Sequence, residues 1–525
     1  AQAFLEADLP YDDDPSGIKG VDQAVSRVVE AINAGELIVV YGDYDADGLS
    51  SAALMLRTLA DLGANARAYI PNRFDEGYGL NADVLADLAS QGTGLVLTVD
   101  CGMRAIDEVR RALELGLDVI VTDHHEPGQI LPEAAVVVNP RQPGDSYPFK
   151  DFAGVGVAYK LALALRRQMG AEEDPYSLVL VALGTVADVV PLVGENRRLV
   201  KTGLQAMRRP TLPGIQALMA SAGLRQASLE SQSIAFVLGP RLNAAGRIGA
   251  ADAALELLMT AEPSRAKDLA ESLERANGER RQLTERVLKV ARQRLESETP
   301  AGFILVDDPE FSEGVIGLAA ARLVDEHYRP VAIACRGPRL TRASARSIPE
   351  FHITQALDQC ADLLVRYGGH AMAAGFTVAT ENLQDLRQRL EKLAASAMQE
   401  EQWNPKLSIE GIASFDELDD NLLSFLDLFE PTGHSNPQPL LLSRELKVLS
   451  CRTVGRQGAH LKLLLGGSGR AFDAIGFGMG ELASDLPGLV DAVYRFERNE
   501  YQGIVTKQLR LIDLRPSPSS QSVIR

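Results

Sequence analysis

One pattern orders the first 140 residues: a short unbroken apolar run, a stretch of helical periodicity, then another apolar run. The runs are residues 37–41, 95–99, 119–122 and 135–138, rich in Val, Ile and Leu. Between them, 50–62 places Leu54, Leu59 and Leu62 on one helical stripe, and 103–115 reads as a second helix. Strands that do not alternate apolar with polar residues must be covered on both faces, and the intervening helices supply the cover. The pattern predicts a parallel α/β sheet. Ligands of such sheets bind beyond the carboxyl ends of the strands.

Residues 263–298 carry no Pro after Pro263 and only Gly278 as a glycine, with Leu269, Leu273, Ala276, Leu283, Val287 and Val290 at helical spacing. They predict a long exposed helix joining two domains. A second α/β region follows. Runs 303–306 and 331–334 read as strands around a helix over 315–326, and 354–365 and 383–398 read as helices. Beyond 404–405 the pattern shifts to short alternating segments with Gly-rich turns over 446–514, which predicts a small antiparallel barrel. Residues 516–525 are rich in Ser and Pro and read as loose. The boundaries expected are 1–262, 263–298, 299–402, 403–516 and 517–525.

The most apolar stretch, 178–193, is interrupted by Gly184, Asp188 and Pro191, so a membrane helix is a poor reading. The four cysteines are far apart and form no CxxC pair, which suits a reducing cytoplasm. The chain starts at Ala1 with no leader pattern and shows no targeting signal, its true start being left open. A net charge of −18 argues against a phosphate-rich partner, unless acids are consumed by divalent cations and basic residues gather in one groove.

Three strands end in the residues such cations want: Asp43, Asp45 and Asp47 after the first, Asp100 after the second, Asp123-His124-His125 after the third. Asp188 sits in the apolar run. A single aspartate after a strand usually caps the next helix, and that reading stays open for Asp123. Three groups at one sheet edge are harder to explain so. Alternating aspartates repel one another, and a buried Asp188 is costly, unless a cation lies among them. Carboxylates with one or two imidazoles and no thiolate suit Mn²⁺ or Mg²⁺. Two ions can be held, with Asp100 as the shared ligand and His125 turned toward substrate as electrophile or general acid. Of the adjacent histidines, one alone could be functional and the other packed. No phosphate-binding loop, HExxH helix or GxSxG elbow is present.

The segments Gly42-Asp43-Tyr44-Asp45-Ala46-Asp47-Gly48, Val99-Asp100-Cys101-Gly102, Asp123-His124-His125 and Gly184-Thr185-Val186-Ala187-Asp188 resemble the four motifs of the DHH phosphoesterase superfamily. Arg241-Leu242-Asn243-Ala244-Ala245-Gly246-Arg247, Glu313-Gly314-Val315-Ile316-Gly317, Ser344-Ala345-Arg346-Ser347 and 368–376 (GGHAMAAGF) look like its RecJ branch with the accessory DHHA1 domain. The resemblance runs from about residue 41 to 515. It implies a DHH domain, a connecting helix, a DHHA1 domain and an OB-like barrel. It further implies a 5′→3′ exonuclease releasing 5′-mononucleotides from single-stranded DNA, dependent on Mn²⁺ or Mg²⁺, in repair and recombination. One ion would take Asp45 and Asp100 with Asp43 nearby; the other would take Asp47, Asp100, His124 and Asp188; His125 would face the scissile phosphate. Arg73, Asn243, Arg247, Ser344, Arg346 and His370 would hold the DNA 5′ end. A helicase and single-strand-binding protein are expected partners by resemblance alone.

Two departures stand out. Tyr41 occupies a position where many relatives carry His, which would shift weight to Asp43. Ser435, in Gly433-His434-Ser435-Asn436-Pro437, replaces a second Gly and puts a turn in question. Arg336, Arg339, Arg342 and Arg346, with Arg280, Arg281 and Arg286, could line a positive groove between the domains. Phe472, Phe477, Tyr494, Phe496 and Tyr501 are either barrel core or stacking faces, and Arg452, Lys462 and Arg470 could meet phosphates. The alternatives are a hydrolase of short oligonucleotides or cyclic dinucleotides, which usually lacks the long C-terminal β region, and an inactive replication scaffold, which typically loses motif aspartates.

Overall fold

The computed structural model describes residues 2–11, 13–72, 76, 79–209, 212–248, 251–297, 302–397, 404–501 and 504–518. Its first sheet holds β1 (Leu37–Gly42), β2 (Asn65–Tyr69), β3 (Thr93–Val99), β4 (Asp118–Thr122) and β5 (Val136–Val138), all parallel, in the order β2-β1-β3-β4-β5. Helix Ala46–Asp61 follows β1, and helix Ile106–Glu114 follows β3. Apolar side chains of β1 and β3 go alternately to two cores. Ile38, Val40, Leu95 and Leu97 join one, and Val39, Tyr41 and Val96 the other. That two-sided burial is why these strands read as unbroken apolar runs. The chain order reverses between β1 and β3, and such a switch point opens a crevice at the carboxyl ends of those two strands.

Helices Gly154–Met169 and Ser177–Ala187 complete the larger core. The apolar run at 178–193 is therefore an interior helix up to Ala187 and leaves the helix at Asp188, and no helix of the described residues is long and apolar enough to cross a membrane.

The connecting helix spans Pro263–Ser297, about 50 Å of rise. It is less exposed than expected. Leu269, Ala270 and Leu273 belong to the first core, and Val287, Leu288 and Ala291 to a core of the next domain. That domain carries β6 (Ile304–Asp308), β7 (Val331–Arg336), β8 (Leu340–Arg346), β9 (Leu364–Gly369) and β10 (Ala373–Ala379) in the order β6-β7-β8-β10-β9. The helix expected over 354–365 is corrected. It runs only Ile353–Asp358, and Leu364 and Val365 start β9.

The C-terminal sheet is β11 (Gly411–Ile412), β12 (Leu441–Val454), β13 (His460–Gly467), β14 (Arg470–Gly476), β15 (Leu489–Tyr501) and β16 (Ile504–Pro516). Its order is β11-β12-β13-β14-β16-β15, and β12 also pairs β15, which closes a five-stranded barrel. Phe472, Tyr494 and Phe496 fill its interior, while Phe477 is 57% exposed with the Arg510 guanidinium 5.5 Å from its ring centre. The Tyr501 side chain and residues 519–525 lie outside the described residues.

The segment leading into the barrel is fastened to the first domain by one buried cation. Arg197, on helix Gly194–Met207, donates to the carbonyls of Phe4 (2.8 Å), Leu428 (2.8 Å), Phe429 (2.8 Å), Glu430 (3.3 Å) and Pro431 (3.1 Å). Leu192 N–H donates to His434 O at 2.8 Å, and Ser231 Oγ to Thr432 O at 2.6 Å. Within this segment Ser435 has φ +60°, so the turn is made, but in the left-handed region a glycine would occupy without strain.

Candidate active site

At the carboxyl end of β1 the chain turns directly into helix Ala46–Asp61. Asp45 caps it, Oδ1 accepting from the N–H groups of Asp47 (2.9 Å) and Gly48 (3.0 Å). The capping role expected of lone aspartates is thus real here, yet Asp45 still offers an oxygen to a group with Asp43 and Asp100, whose ligand atoms lie within 4.8 Å of one another. Asp47 is buried and accepts from Gly154 N–H (2.6 Å) and Val155 N–H (3.0 Å), the first amides of helix Gly154–Met169. It groups with His124 and Asp188, the latter closing helix Ser177–Ala187, again within 4.8 Å.

Asp100 stands between the two groups, its Oδ1 being 3.1 Å from His124 Nε2. Its φ is +62°, a strained conformation of the kind held at functional sites by the surrounding packing. The packing is tight: a Cβ on Gly154 would come within 2.6 Å of the Asp100 side chain, and one on Gly184 within 2.6 Å of Asp47 Oδ1.

The electrostatics call for a cation. Burial, followed by the charge of Asp47, pushes the Asp100 carboxyl well above the ordinary range. Burial, followed by Asp47, does the same to Asp188. Asp47 is pushed up to about 7 by burial and then Asp45. His124 is held down to about 4 by burial and then by His125, so the ring is neutral at pH 7. Its Nδ1 lies 2.9 Å from Phe152 O, which can only accept. The proton is therefore on Nδ1, and Nε2 turns a lone pair toward Asp100 and Asp188. His124 Nε2 and Asp100 Oδ1 are both buried without a hydrogen-bond partner. Two lone pairs facing each other at 3.1 Å repel, and a divalent cation between them turns that repulsion into ligation. The donor set fits Mn²⁺ or Mg²⁺, since it is carboxylate with one imidazole.

Asp123 is the residue whose role the sequence left open. Its carboxylate accepts from the N–H groups of Met103 (2.8 Å), His124 (2.7 Å) and His125 (3.1 Å) and lies 2.7 Å from His125 Nδ1. Burial is the largest single effect and works against its charge, but the His125 hydrogen bond, the charges of His125 and His124 and the backbone amide together outweigh it and lower its pKa. In return Asp123 raises His125, against the opposing effect of burial. Asp123 thus holds the orientation of His125, which lies on the open side with its side chain 38% exposed. Tyr41 sits away from the acids, buried with its hydroxyl donating to Gly79 O (3.2 Å) and its ring 5.1 Å from that of Tyr69.

The residues expected to grip a DNA end divide. Arg73 lies outside the described residues. Asn243 Oδ1 accepts from Ala46 N–H (2.7 Å), so this side chain braces the first acidic loop. Arg247 donates to Gly314 O (2.9 Å), linking the first domain to the start of helix Glu313–His327. Arg346 donates to Ser344 Oγ (3.0 Å), and both reach Gly317, where a Cβ would meet Ser344 Oγ at 2.9 Å and Arg346 Nη2 at 3.0 Å. His370 is exposed at the tip joining β9 to β10, its N–H bonded to Ala373 O (2.8 Å), and Ala373 pairs with Arg346.

Of the other cations, Arg336 pairs with Asp307 and Arg342 with Glu313. Arg280 is partly buried near Arg281, Arg322 and Arg241, and burial together with those like charges lowers its pKa. That is a concentration of positive charge beside the connecting helix in a chain of net charge −18.

Comparison with known proteins identifies three domains along the chain. Residues 37–185 match the model of the DHH family, N-terminal domain; 301–396 match the DHHA1 domain; 409–513 match the RecJ OB domain. The chain is 37% identical over 505 residues to the single-stranded-DNA-specific exonuclease RecJ of Bacillus subtilis, covering 95% of this chain and 64% of that protein. It is 34% identical over 526 residues to the protein of the same name from Salmonella typhimurium, covering 95% and 91%. The crystal structure of RecJ with Mn²⁺ from Thermus thermophilus superposes with a TM-score of 0.84 at 33% identity, over 98% of this chain and 74% of that one.

Proposed function

This chain belongs to the RecJ family, and from that membership we propose that it is a metal-dependent exonuclease that hydrolyses single-stranded DNA from the 5′ end to 5′-mononucleotides. The observation that carries the reading is the approach of two ligand groups, Asp43-Asp45-Asp100 and Asp47-His124-Asp188, whose members Asp100 Oδ1 and His124 Nε2 lie 3.1 Å apart. Asp43, Asp45 and Asp100 would hold one ion, and Asp47, His124 and Asp188, sharing Asp100, would hold the other. Two Mn²⁺ or Mg²⁺ ions there would acidify an attacking water and neutralise phosphoryl charge.

The protein's own groups do the rest. Phe152 O fixes the His124 tautomer, and Asp123 aims and charges His125. His125 faces the scissile phosphate and hydrogen-bonds its oxygen as charge builds. Ser344 and Arg346, with Arg247 and His370 beside them, take the terminal 5′-phosphate, for which a guanidinium and a hydroxyl are apt. A fixed terminus beside a fixed cutting site yields mononucleotides.

Residues 1–262 form the catalytic domain, 299–402 the end-binding domain and 403–516 the single-strand-binding barrel, joined by 263–298. The cellular setting is DNA repair and recombination in the cytoplasm, alongside a helicase and a single-strand-binding protein. The test is digestion of 5′- and 3′-labelled single strands with and without Mn²⁺, for the parent and Asp100→Ala. Parent-only, Mn²⁺-dependent release of the 5′ label as mononucleotide is expected. Cleavage by Asp100→Ala at the parent's rate removes Asp100 from the site, and release from the 3′ end overturns the polarity.

A further inference from the structure

Two exposed apolar side chains lie on segments that adjoin or brace the acid cluster, and neither has a place in the chemistry above. Phe236 is 76% exposed, the most exposed large hydrophobic among the described residues, and Val189 is 64% exposed. Val189 follows Asp188 directly and has φ +62°. A β-branched residue in the left-handed region is strained, and here that strain holds an apolar group in water beside a half-buried carboxylate.

Phe236 lies in a π-helical turn, Ile234–Leu238, where Gly239 N–H reaches back five residues to Ile234 O. Pro240 accounts for the turn. It has no N–H to give to Phe236 O, and its ring crowds that carbonyl, so the helix widens. Next to it, Val237 O accepts from Arg241 Nη1 at 2.7 Å. Ile234 and Leu238 remain buried while Phe236 is turned out. The widened turn is continuous with helix Gly239–Ile248, whose Asn243 holds the first acidic loop, and a Cβ on Gly239 would lie 3.2 Å from that of Ala187, the residue before Asp188. Both oddities therefore sit at one rim of the cluster.

The occupant of that rim is the strand whose phosphodiester enters the cluster. Unpaired bases present bare π-faces that duplex bases bury in their own stack, and an exposed phenyl ring beside a phosphate path suits them without regard to sequence. We propose that Phe236, backed by Val189, is a stacking platform for one base of the single strand near the scissile phosphate; this rests on the nuclease reading above.

The test is binding of a dye-labelled oligothymidylate, followed by anisotropy in the Asp100→Ala background so that the strand survives. Phe236→Ala is expected to weaken binding about tenfold and Phe236→Trp to keep it within about twofold, while Phe236→Leu, apolar without a π-face, follows the alanine variant. A single abasic position, moved along the strand, should weaken binding to the Phe236 protein at one site and leave Phe236→Ala indifferent there. Equal binding by Phe236→Ala and its parent, full recovery by Phe236→Leu, or an abasic profile unchanged by the alanine substitution each overturns the platform. Because binding is read without cleavage, failure of the nuclease reading shows separately, as a parent that does not digest single strands. Phe236→Trp, differing only in an exposed ring, controls for folding.

Discussion

Replacing Arg197 by Met would test whether one buried guanidinium fastens the barrel to the catalytic domain. Met approximates the aliphatic stem but takes the guanidinium from five carbonyls, four of them on consecutive residues 428–431; Phe429 O and Pro431 O keep Asn436 Nδ2 and Phe4 O keeps Ala7 N–H, so Leu428 O and Glu430 O bear most of the loss. Hydrogen bonds to a charged donor contribute about 1.5–3 kcal/mol each by deletion, and relief from burying a cation offsets several kcal/mol of that sum. The loss is also capped, because the segment can peel away and let water reach the carbonyls. A net loss of about 3–5 kcal/mol is expected, the range for removing one partner of a buried charged arrangement. It should appear locally first. Amide exchange followed by mass spectrometry should speed up about a hundredfold or more in peptides covering 428–436, since each 1.4 kcal/mol is a factor of ten. Arg197→Lys, keeping the charge but not the planar fork, should recover part of it. Unchanged exchange in 428–436 together with a stability loss below about 1 kcal/mol would refute the fastening role.

Other outcomes follow from the same contacts. Mn²⁺ should raise the melting midpoint of the parent, by about 2.7 kcal/mol of stability at a hundred times its dissociation constant, and should not do so for Asp100→Ala; calorimetry checks this. Gly154→Ala drives a methyl into the Asp100 side chain from a rigid helix start, so a loss of about 1–3 kcal/mol in urea unfolding is expected, with weakened Mn²⁺ binding by titration calorimetry. Ser435→Gly relieves a left-handed serine and should stabilise by about 0.5–1 kcal/mol in the same urea assay, after the entropy cost of glycine.

The parallel sheet was legible because its central strands are buried on both faces and so carry unbroken apolar runs. β2 was not, because Asn65-Ala66-Arg67-Ala68-Tyr69 is an edge strand of half-exposed residues with no such run. β8 hid for a related reason. Thr341, Ala343 and Ala345 face inward between arginines and a serine, too small to mark a strand by hydropathy. The helix read through 354–365 overran because Leu363, Leu364 and Val365 continue its apolar count, while nothing apolar shows that the chain has turned into a sheet edge. In the site, acids and imidazoles at strand ends marked Asp43, Asp45, Asp47, Asp100 and His124, while Asp188 stood out only as an acid in an apolar run, which the structure makes the end of helix Ser177–Ala187. Asn243 carries no such mark: that an amide 197 residues away caps Ala46 is a tertiary fact. Asp123 had a local signal, since a carboxylate preceding two histidines can fold back on both their amides.

The acids that meet at the crevice are contributed by four separate segments, the last of them Asp188 at the end of an interior helix. No shorter stretch of polypeptide, released early from synthesis or cut loose by a protease, contains the full set. The set is complete only once the chain through Asp188 has been made and packed, so the site arrives together with the folded domain that restrains it.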